Sequence, residues 1–163
     1  MKLEPLFSIQ GNKLTRISDN QSVDPSTFKM IHISWKEVEI EDESYNEEFL
    51  AKLREELKPL DDKNQFVILC PVVDKNFETP EEIEAFIKAM NHTARRIKDC
   101  VCVAGFLLPD ELLAKGIDGE SPASAFMETL AVKHAQYIYF VNKKSEDKYN
   151  LNEAIFFASL VLI

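Results

Sequence analysis

The amino-acid sequence predicts an α/β fold with about four parallel strands and a leading β-hairpin. The main observation is a repeated order, in which a short apolar run is followed by a stretch with helical periodicity. These runs cover residues 30–35, 66–73, 101–108 and 137–141. The second observation is that residues 6–18 have a hairpin pattern, in which two alternating segments flank Gly11-Asn12.

The composition is typical of a single globular domain covering residues 1–163. Of the 163 residues, 45% are apolar and 29% are charged, which is a folded rather than a disordered composition. The net charge of −9 argues against nucleic acid and an anionic membrane surface as partners, because both require basic patches. A protein partner or ligand is therefore expected to be neutral or basic.

Targeting signals and cysteine usage indicate a cytoplasmic protein. The first five residues contain no apolar signal segment, and the longest apolar run, residues 154–163, is too short to span a bilayer. Cys70, Cys100 and Cys102 lie in or beside predicted buried strands. An odd number of such cysteines is typical of reduced thiols that pack in a core.

Four helices are expected between and after the strands. They cover residues 46–58, 80–99, 121–136 and 151–163, with a short helical turn at 110–114. Ser44 and Glu47 form a candidate capping box for the first helix, and Pro59 is expected to end it. Thr79 is expected to cap the second helix.

The last predicted helix is apolar on nearly all sides, which is typical of a helix buried on both faces. Either it packs between the sheet and the hairpin, or one of its stripes meets a second copy or a protein partner. The candidate interface residues are Phe156, Phe157, Leu160 and Ile163.

Candidate ligand-binding residues lie at the ends of the predicted strands, where parallel sheets bind ligands. Trp35, Asp74 and Asn142 follow three of the strands, and Asp110-Glu111 follow another. An aromatic ring with several carboxylates could bind a small neutral ligand such as a sugar. Acidic residues are also common in solvated loops and at helix starts, so a purely structural role stays open.

No cofactor or metal is expected. His32, His92 and His134 lack the spacing of metal ligands, and none stands beside a nucleophile. The four glycines form no phosphate-binding loop, and the sequence has no nucleophile elbow.

The order of the segments resembles that of cellulase-type (β/α)8-barrel glycoside hydrolases. Residues 7–14 resemble their leading hairpin, and residues 30–35 resemble an early barrel strand that ends in Ser-Trp. Residues 105–111 resemble the strand whose Asn-Glu pair carries the acid/base. The resemblance implies a partial barrel, with Glu111 as the acid/base and Asp110 as its neighbour.

The sequence departs from that family at most of its catalytic positions. Met30 stands in place of an arginine, Val72 in place of a histidine, and Asp110 in place of the asparagine. The family's nucleophile comes from a late barrel strand, which we do not expect this chain to include. Glycoside cleavage requires two carboxylates at a set separation. We therefore expect a non-catalytic interaction or ligand-binding domain, with a carbohydrate-active hydrolase that uses Glu111 as the alternative.

Strand order cannot be read from the sequence, which leaves two architectures open. One is the partial TIM-barrel-like arrangement that the resemblance implies. The other is a doubly wound sheet of the flavodoxin or anti-sigma-factor-antagonist type, which has the same order of elements.

Overall fold

The computed structural model describes residues 4–151 and 160–163. The strands are β1 (Phe7–Gln10), β2 (Lys13–Arg16), β3 (Gln21–Val23), β4 (Lys29–Ser34), β5 (Glu39–Glu41), β6 (Ser44–Tyr45), β7 (Val67–Val72), β8 (Val103–Leu107), β9 (Ile138–Val141) and β10 (Val161–Leu162). The helices are α1 (Trp35–Val38), α2 (Glu47–Asp61), α3 (Pro80–Arg96), α4 (Asp110–Leu113), α5 (Pro122–Ala131) and α6 (Lys143–Tyr149).

Five strands form one parallel sheet in the order β10-β9-β8-β7-β4. The spatial order follows the order along the chain, as in part of a TIM-barrel-like fold. A doubly wound sheet instead reverses its strand order at a switch point, so that alternative is wrong. The four predicted parallel strands are confirmed, and β10 is a fifth that the sequence pattern did not predict.

The two faces of the parallel sheet belong to two separate cores, because alternate residues of a strand point to opposite faces. Val67 and Leu69 pack in the larger core together with the helices. Ile68 and Cys70 pack in the smaller core, together with Phe7 and other residues of the antiparallel sheet β1-β2-β3. We call the face that carries Ile68 and Cys70 the inner face. The N-terminal sheet therefore covers part of the inner face.

The first two long helices begin close to the predicted positions. The amide oxygen of Asn46 accepts a hydrogen bond from the Phe49 N–H at 3.1 Å, so Asn46 caps α2 and the predicted capping box is wrong. Pro59 lies within the last turn of α2 instead of ending it. A proline at this position leaves only the carbonyl of the exposed Glu55 without its helical partner. Thr79 caps α3, as predicted.

Residues 160–163 are not part of a helix as predicted, and residues 152–159 of the predicted last helix lie outside the described residues. Val161–Leu162 form β10, which pairs in parallel with β9, and the Ile163 N–H donates to the Val141 carbonyl at 2.9 Å. This pairing directs Leu160, which is 2% exposed, into the larger core, so it offers no surface to a partner. Ile163 packs against the smaller core instead.

The helices before the last strand also differ from the prediction. The predicted helix 121–136 ends at Ala131, and α6 was not predicted. Phe156 and Phe157 lie outside the described residues.

Within the described part of the chain, no helix is long and apolar enough to cross a membrane.

The hairpin turn between β1 and β2 contacts the far edge of the parallel sheet. The side-chain oxygen of Asn12 accepts a hydrogen bond from the Leu162 N–H at 2.7 Å. Because Ile163 bonds to β9, the Leu162 N–H points to the free edge of β10. Asn12 therefore caps this edge.

Candidate functional site

Trp35 lies in the larger core and is only 2% exposed. Its ring packs edge-on against Phe77 and Phe86, and the Lys75 ammonium lies 5.1 Å from the ring centroid. The indole N–H donates to the carboxylate of Glu39 at 3.0 Å. The prediction that Trp35 is a stacking platform is therefore wrong, because no face of the ring is open to a sugar.

Asp74 lies at the end of β7 and binds the start of α1. Its carboxylate accepts hydrogen bonds from the Ser34 hydroxyl and from the Lys36 N–H, the latter at 2.9 Å. The Lys36 N–H belongs to the first turn of α1, where backbone donors lack helical partners. Asp74 thus joins the ends of two neighbouring strands, and its oxygens are engaged within the chain.

Asp110 has a similar role at the end of β8. Its carboxylate accepts a hydrogen bond from the buried Ser145 hydroxyl on α6, and the Lys148 ammonium lies 3.8 Å from its other oxygen. These contacts join the end of β8 to the helix that follows β9. The carboxylate therefore connects two βα units.

Asn142 and Glu111 complete the predicted site residues. The side-chain oxygen of Asn142 accepts a hydrogen bond from the Lys144 N–H at 2.9 Å, so this residue caps α6. Glu111 is exposed on α4, and within the described residues no hydrogen bond or ion pair joins it to Asp74. The structure thus connects Asp74 to the start of α1 and connects Asp110 to α6, but it does not join these two groups into one constellation.

A cavity of about 650 Å³ borders Trp35. Its wall includes the buried Glu39, which is 3% exposed and forms an ion pair with Lys75 at 3.0 Å. The remaining lining is mainly acidic and includes Asp42, Glu43, Glu81, Glu82 and Glu84. In the sequence, Glu39 has the pattern of a solvated loop residue, and only the fold shows that it is buried.

The cysteines and the possible metal ligands offer no further chemistry among the described residues. Cys70, Cys100 and Cys102 are free and buried, and burial raises the pKa of each thiol, to about 12 for Cys102. Thiols of this kind remain protonated and unreactive at neutral pH. Over residues 4–151 and 160–163, no three His, Cys, Asp or Glu side chains are grouped so that they could hold a metal ion.

Among the described residues, no strand pairs with the outer edge of β4. The Lys29 N–H donates to the carbonyl of Phe66, just before β7, at 3.0 Å. β4 then pairs with β7 in unbroken register. In a parallel pair, alternate residues bond to the same neighbour. The N–H and C=O groups of Met30 and His32 therefore point to the free edge. We call the backbone of residues 29–34 on this side the β4 edge.

The side chains beside the β4 edge are also uncovered. Ile31 and Ile33 pack on the helix side, so Met30 and His32 lie on the inner face. Met30 is 43% exposed, Val72 on the neighbouring strand is 37% exposed, and His32 is also exposed. Sequence reasoning missed this surface, because an edge strand cannot be told from a central strand by its apolar pattern.

No protein-family model matches this chain, and no curated protein matches it. Solved structures of glycoside hydrolases do resemble it. The endoglucanase Cel5A of Pseudomonas stutzeri, solved with cellobiose, gives a TM-score of 0.57 at 18% identity, over 83% of this chain and 46% of that chain. Endo-glycoceramidase II from Rhodococcus sp. gives 0.52 at 14% identity, over 70% of this chain and 40% of that chain.

These similarities concern the fold, because sequence identity is low. The chain spans less than half the length of either enzyme. The resemblance to cellulase-type barrel glycoside hydrolases is confirmed at this level, as a likeness to part of a barrel.

Proposed function

We propose that this chain is a non-catalytic interaction domain that binds an extended segment of a partner protein along the β4 edge. The observation that carries the proposal is the open backbone of β4 beside exposed side chains of the inner face. Unpaired N–H and C=O groups on a long, regular strand are a template for one more strand.

The strand ends support the non-catalytic part of the proposal. Hydrolysis of a glycosidic bond requires two carboxylates that face each other across it. Asp74 and Asp110 already accept hydrogen bonds from their own chain, and Trp35 is buried. Glu111 alone cannot supply both the acid and the second carboxylate.

The properties of β4 support its role as a binding edge. Proteins usually protect an edge strand with charges, bulges or prolines. The sequence of β4, Lys-Met-Ile-His-Ile-Ser, has one charged residue, and its pairing with β7 shows no bulge. An added strand would find hydrogen-bonding groups at Met30 and His32 and apolar contacts at Met30 and Val72.

The charge of the chain indicates the chemistry of the partner. The net charge of −9 favours the approach of a neutral or basic segment over an acidic one. We therefore propose a partner segment with alternating apolar residues and no excess of acidic side chains.

The test is a pair of substitutions at His32. His32→Pro removes an N–H that points to the free edge and leaves the bonds between β4 and β7 intact. His32→Thr changes the side chain and keeps the N–H. In pull-downs from lysate of the source cell, read by mass spectrometry, we expect stoichiometric partners to be lost with His32→Pro and retained with His32→Thr. If both variants capture the same proteins as the unchanged chain, strand addition at β4 is excluded.

A hydrolase is the second candidate, and the exposed carboxylate of Glu111 at the end of β8 is the observation in its favour. The assay is turnover of aryl glycosides by the unchanged chain and by Glu111→Gln. We expect no turnover above the buffer rate from either protein. Turnover that disappears with Glu111→Gln would assign the residue an acid/base role and overturn the non-catalytic proposal.

A further inference from the structure

A groove of about 450 Å³ lies between α3 and the C-terminal end of α5, and its wall is basic although the chain is acidic. Lys88, Asn91, His92 and Arg95 share one side of α3, because they are spaced by three and four residues. Lys133 and His134 line the opposite wall. We propose that this groove binds a small phosphorylated organic molecule.

Two of the cations in the groove are not neutralised within the described part of the chain. Lys88 pairs with Glu43 and Glu84, and His92 contacts Glu47 at 2.7 Å. For Arg95 and Lys133, residues 4–151 and 160–163 provide no carboxylate partner within ion-pair distance. A guanidinium and an ammonium that line the same groove are suited to bind a phosphate.

Buried polar atoms in the same wall lack partners. His134 is 3% exposed, and its Nδ1 makes no hydrogen bond with the described residues. The side-chain oxygen of Asn91 is buried and also unpartnered there. Such atoms destabilise a fold unless a ligand or water binds them.

The electrostatic surroundings of His134 are consistent with an anion site. Burial lowers the pKa of His134, and the nearby Lys98 and Lys133 lower it further. Two ammonium groups therefore lie near this imidazole. A phosphate in the groove would pair with the Arg95 and Lys133 cations that line it.

The groove also has room and contacts for the organic part of the ligand. Val132 is 71% exposed on one wall. Tyr45 stacks on His92 with ring centroids 4.2 Å apart and forms another part of the wall. These apolar and aromatic surfaces favour a phosphorylated molecule over an inorganic ion.

The experiment is a titration of the full chain with phenyl phosphate, inorganic phosphate and benzoate, followed by amide and imidazole NMR shifts. We expect saturable shifts at His134 and Arg95, with phenyl phosphate tightest and benzoate weakest. In the double variant Arg95→Gln/Lys133→Gln, affinity for phenyl phosphate should fall roughly tenfold or more. The matched control is Lys115→Gln, which removes an exposed cation outside the groove. The affinity of this variant for phenyl phosphate should stay within about twofold of that of the unchanged chain.

Three results would overturn the proposal. They are no saturable shift with any of the anions, tighter binding of benzoate than of phenyl phosphate, and equal weakening in the Lys115→Gln control. The groove lies among the helices, whereas the β4 edge lies at the side of the sheet. The His32→Pro variant should therefore bind phenyl phosphate normally, so the two proposals can fail independently.

Discussion

Glu39 shows how one buried carboxylate organises the start of the helical layer. It accepts hydrogen bonds from the Trp35 indole at 3.0 Å, from the Glu43 N–H at 3.2 Å and from Lys75 at 3.0 Å. These donors belong to three separate segments that follow β4 and β7. A buried carboxylate is tolerated only when it is paired and hydrogen-bonded in this way.

The ion pair between Glu39 and Lys75 should contribute to the stability of the fold. Lys75→Met should lower the free energy of unfolding by about 2 kcal/mol, because it leaves the Glu39 carboxylate buried without its cation. The effect should be smaller than for a fully enclosed pair, since Lys75 is partly exposed. Urea denaturation measures the change. In a Glu39→Gln background the same substitution should have much less effect, and an equal effect would show that the ion pair is unimportant.

Sequence reasoning located the polar residues at the strand ends but could not assign their partners. Asp74 and Asn142 do lie at strand ends, as predicted. The Ser34 hydroxyl that binds Asp74 is 40 positions away in the chain, so the sequence pattern contains no sign of the contact. Trp35 shows the same limit, because its burial depends on Phe77 and Phe86, which arrive with later elements.

At the scale of elements, the predictions succeeded where apolar runs were long and failed where they were short. The continuous apolar run of β7, buried from Val67 to Pro71, identifies an inner parallel strand. β10 consists of two residues, too few for any periodicity to be visible. Its strand character depends on pairing with β9, a tertiary contact that the sequence pattern does not show.

β8 and β9 come unusually close to each other at Gly105 and Ile138. A Cβ atom at Gly105 would overlap the Ile138 carbonyl of the neighbouring strand. Gly105→Ala should therefore separate the two strands and destabilise the chain by roughly 3 kcal/mol or more. Thermal unfolding followed by circular dichroism measures the loss.

The control for this prediction is a glycine whose surroundings are open. Gly11 has a φ of +62° and no atom within 4 Å of an added Cβ. Gly11→Asn should change stability by about 1 kcal/mol or less, because asparagine tolerates this backbone conformation. If Gly105→Ala is as mild as this control, the close packing of β8 against β9 is not essential.

At the scale of the whole molecule, the N-terminal sheet and the helices enclose the parallel sheet from opposite sides. Leu14 of β2 is 1% exposed and packs in the smaller core with Phe28, Ile68 and Phe140. The N-terminal sheet is thus the cover of a face that would otherwise be apolar and open to water.

Leu14→Ala tests this role of the N-terminal sheet. The substitution should lower the free energy of unfolding by about 3 kcal/mol, because it leaves a cavity in the smaller core. It should also increase the binding of a hydrophobic dye before global unfolding, since the cover loosens from the inner face. Identical dye binding by the variant and the unchanged chain would show that the cover does not detach separately.

The two edges of the parallel sheet differ, and this difference limits how copies of the chain can associate. Head-to-tail growth of a fibre through strand addition would require the β4 edge of one copy to pair with the β10 edge of the next. Asn12 already occupies the outward donor of Leu162 at β10. The Asn12 side chain thus blocks a donor that the next copy would need, which disfavours growth of a fibre from β10.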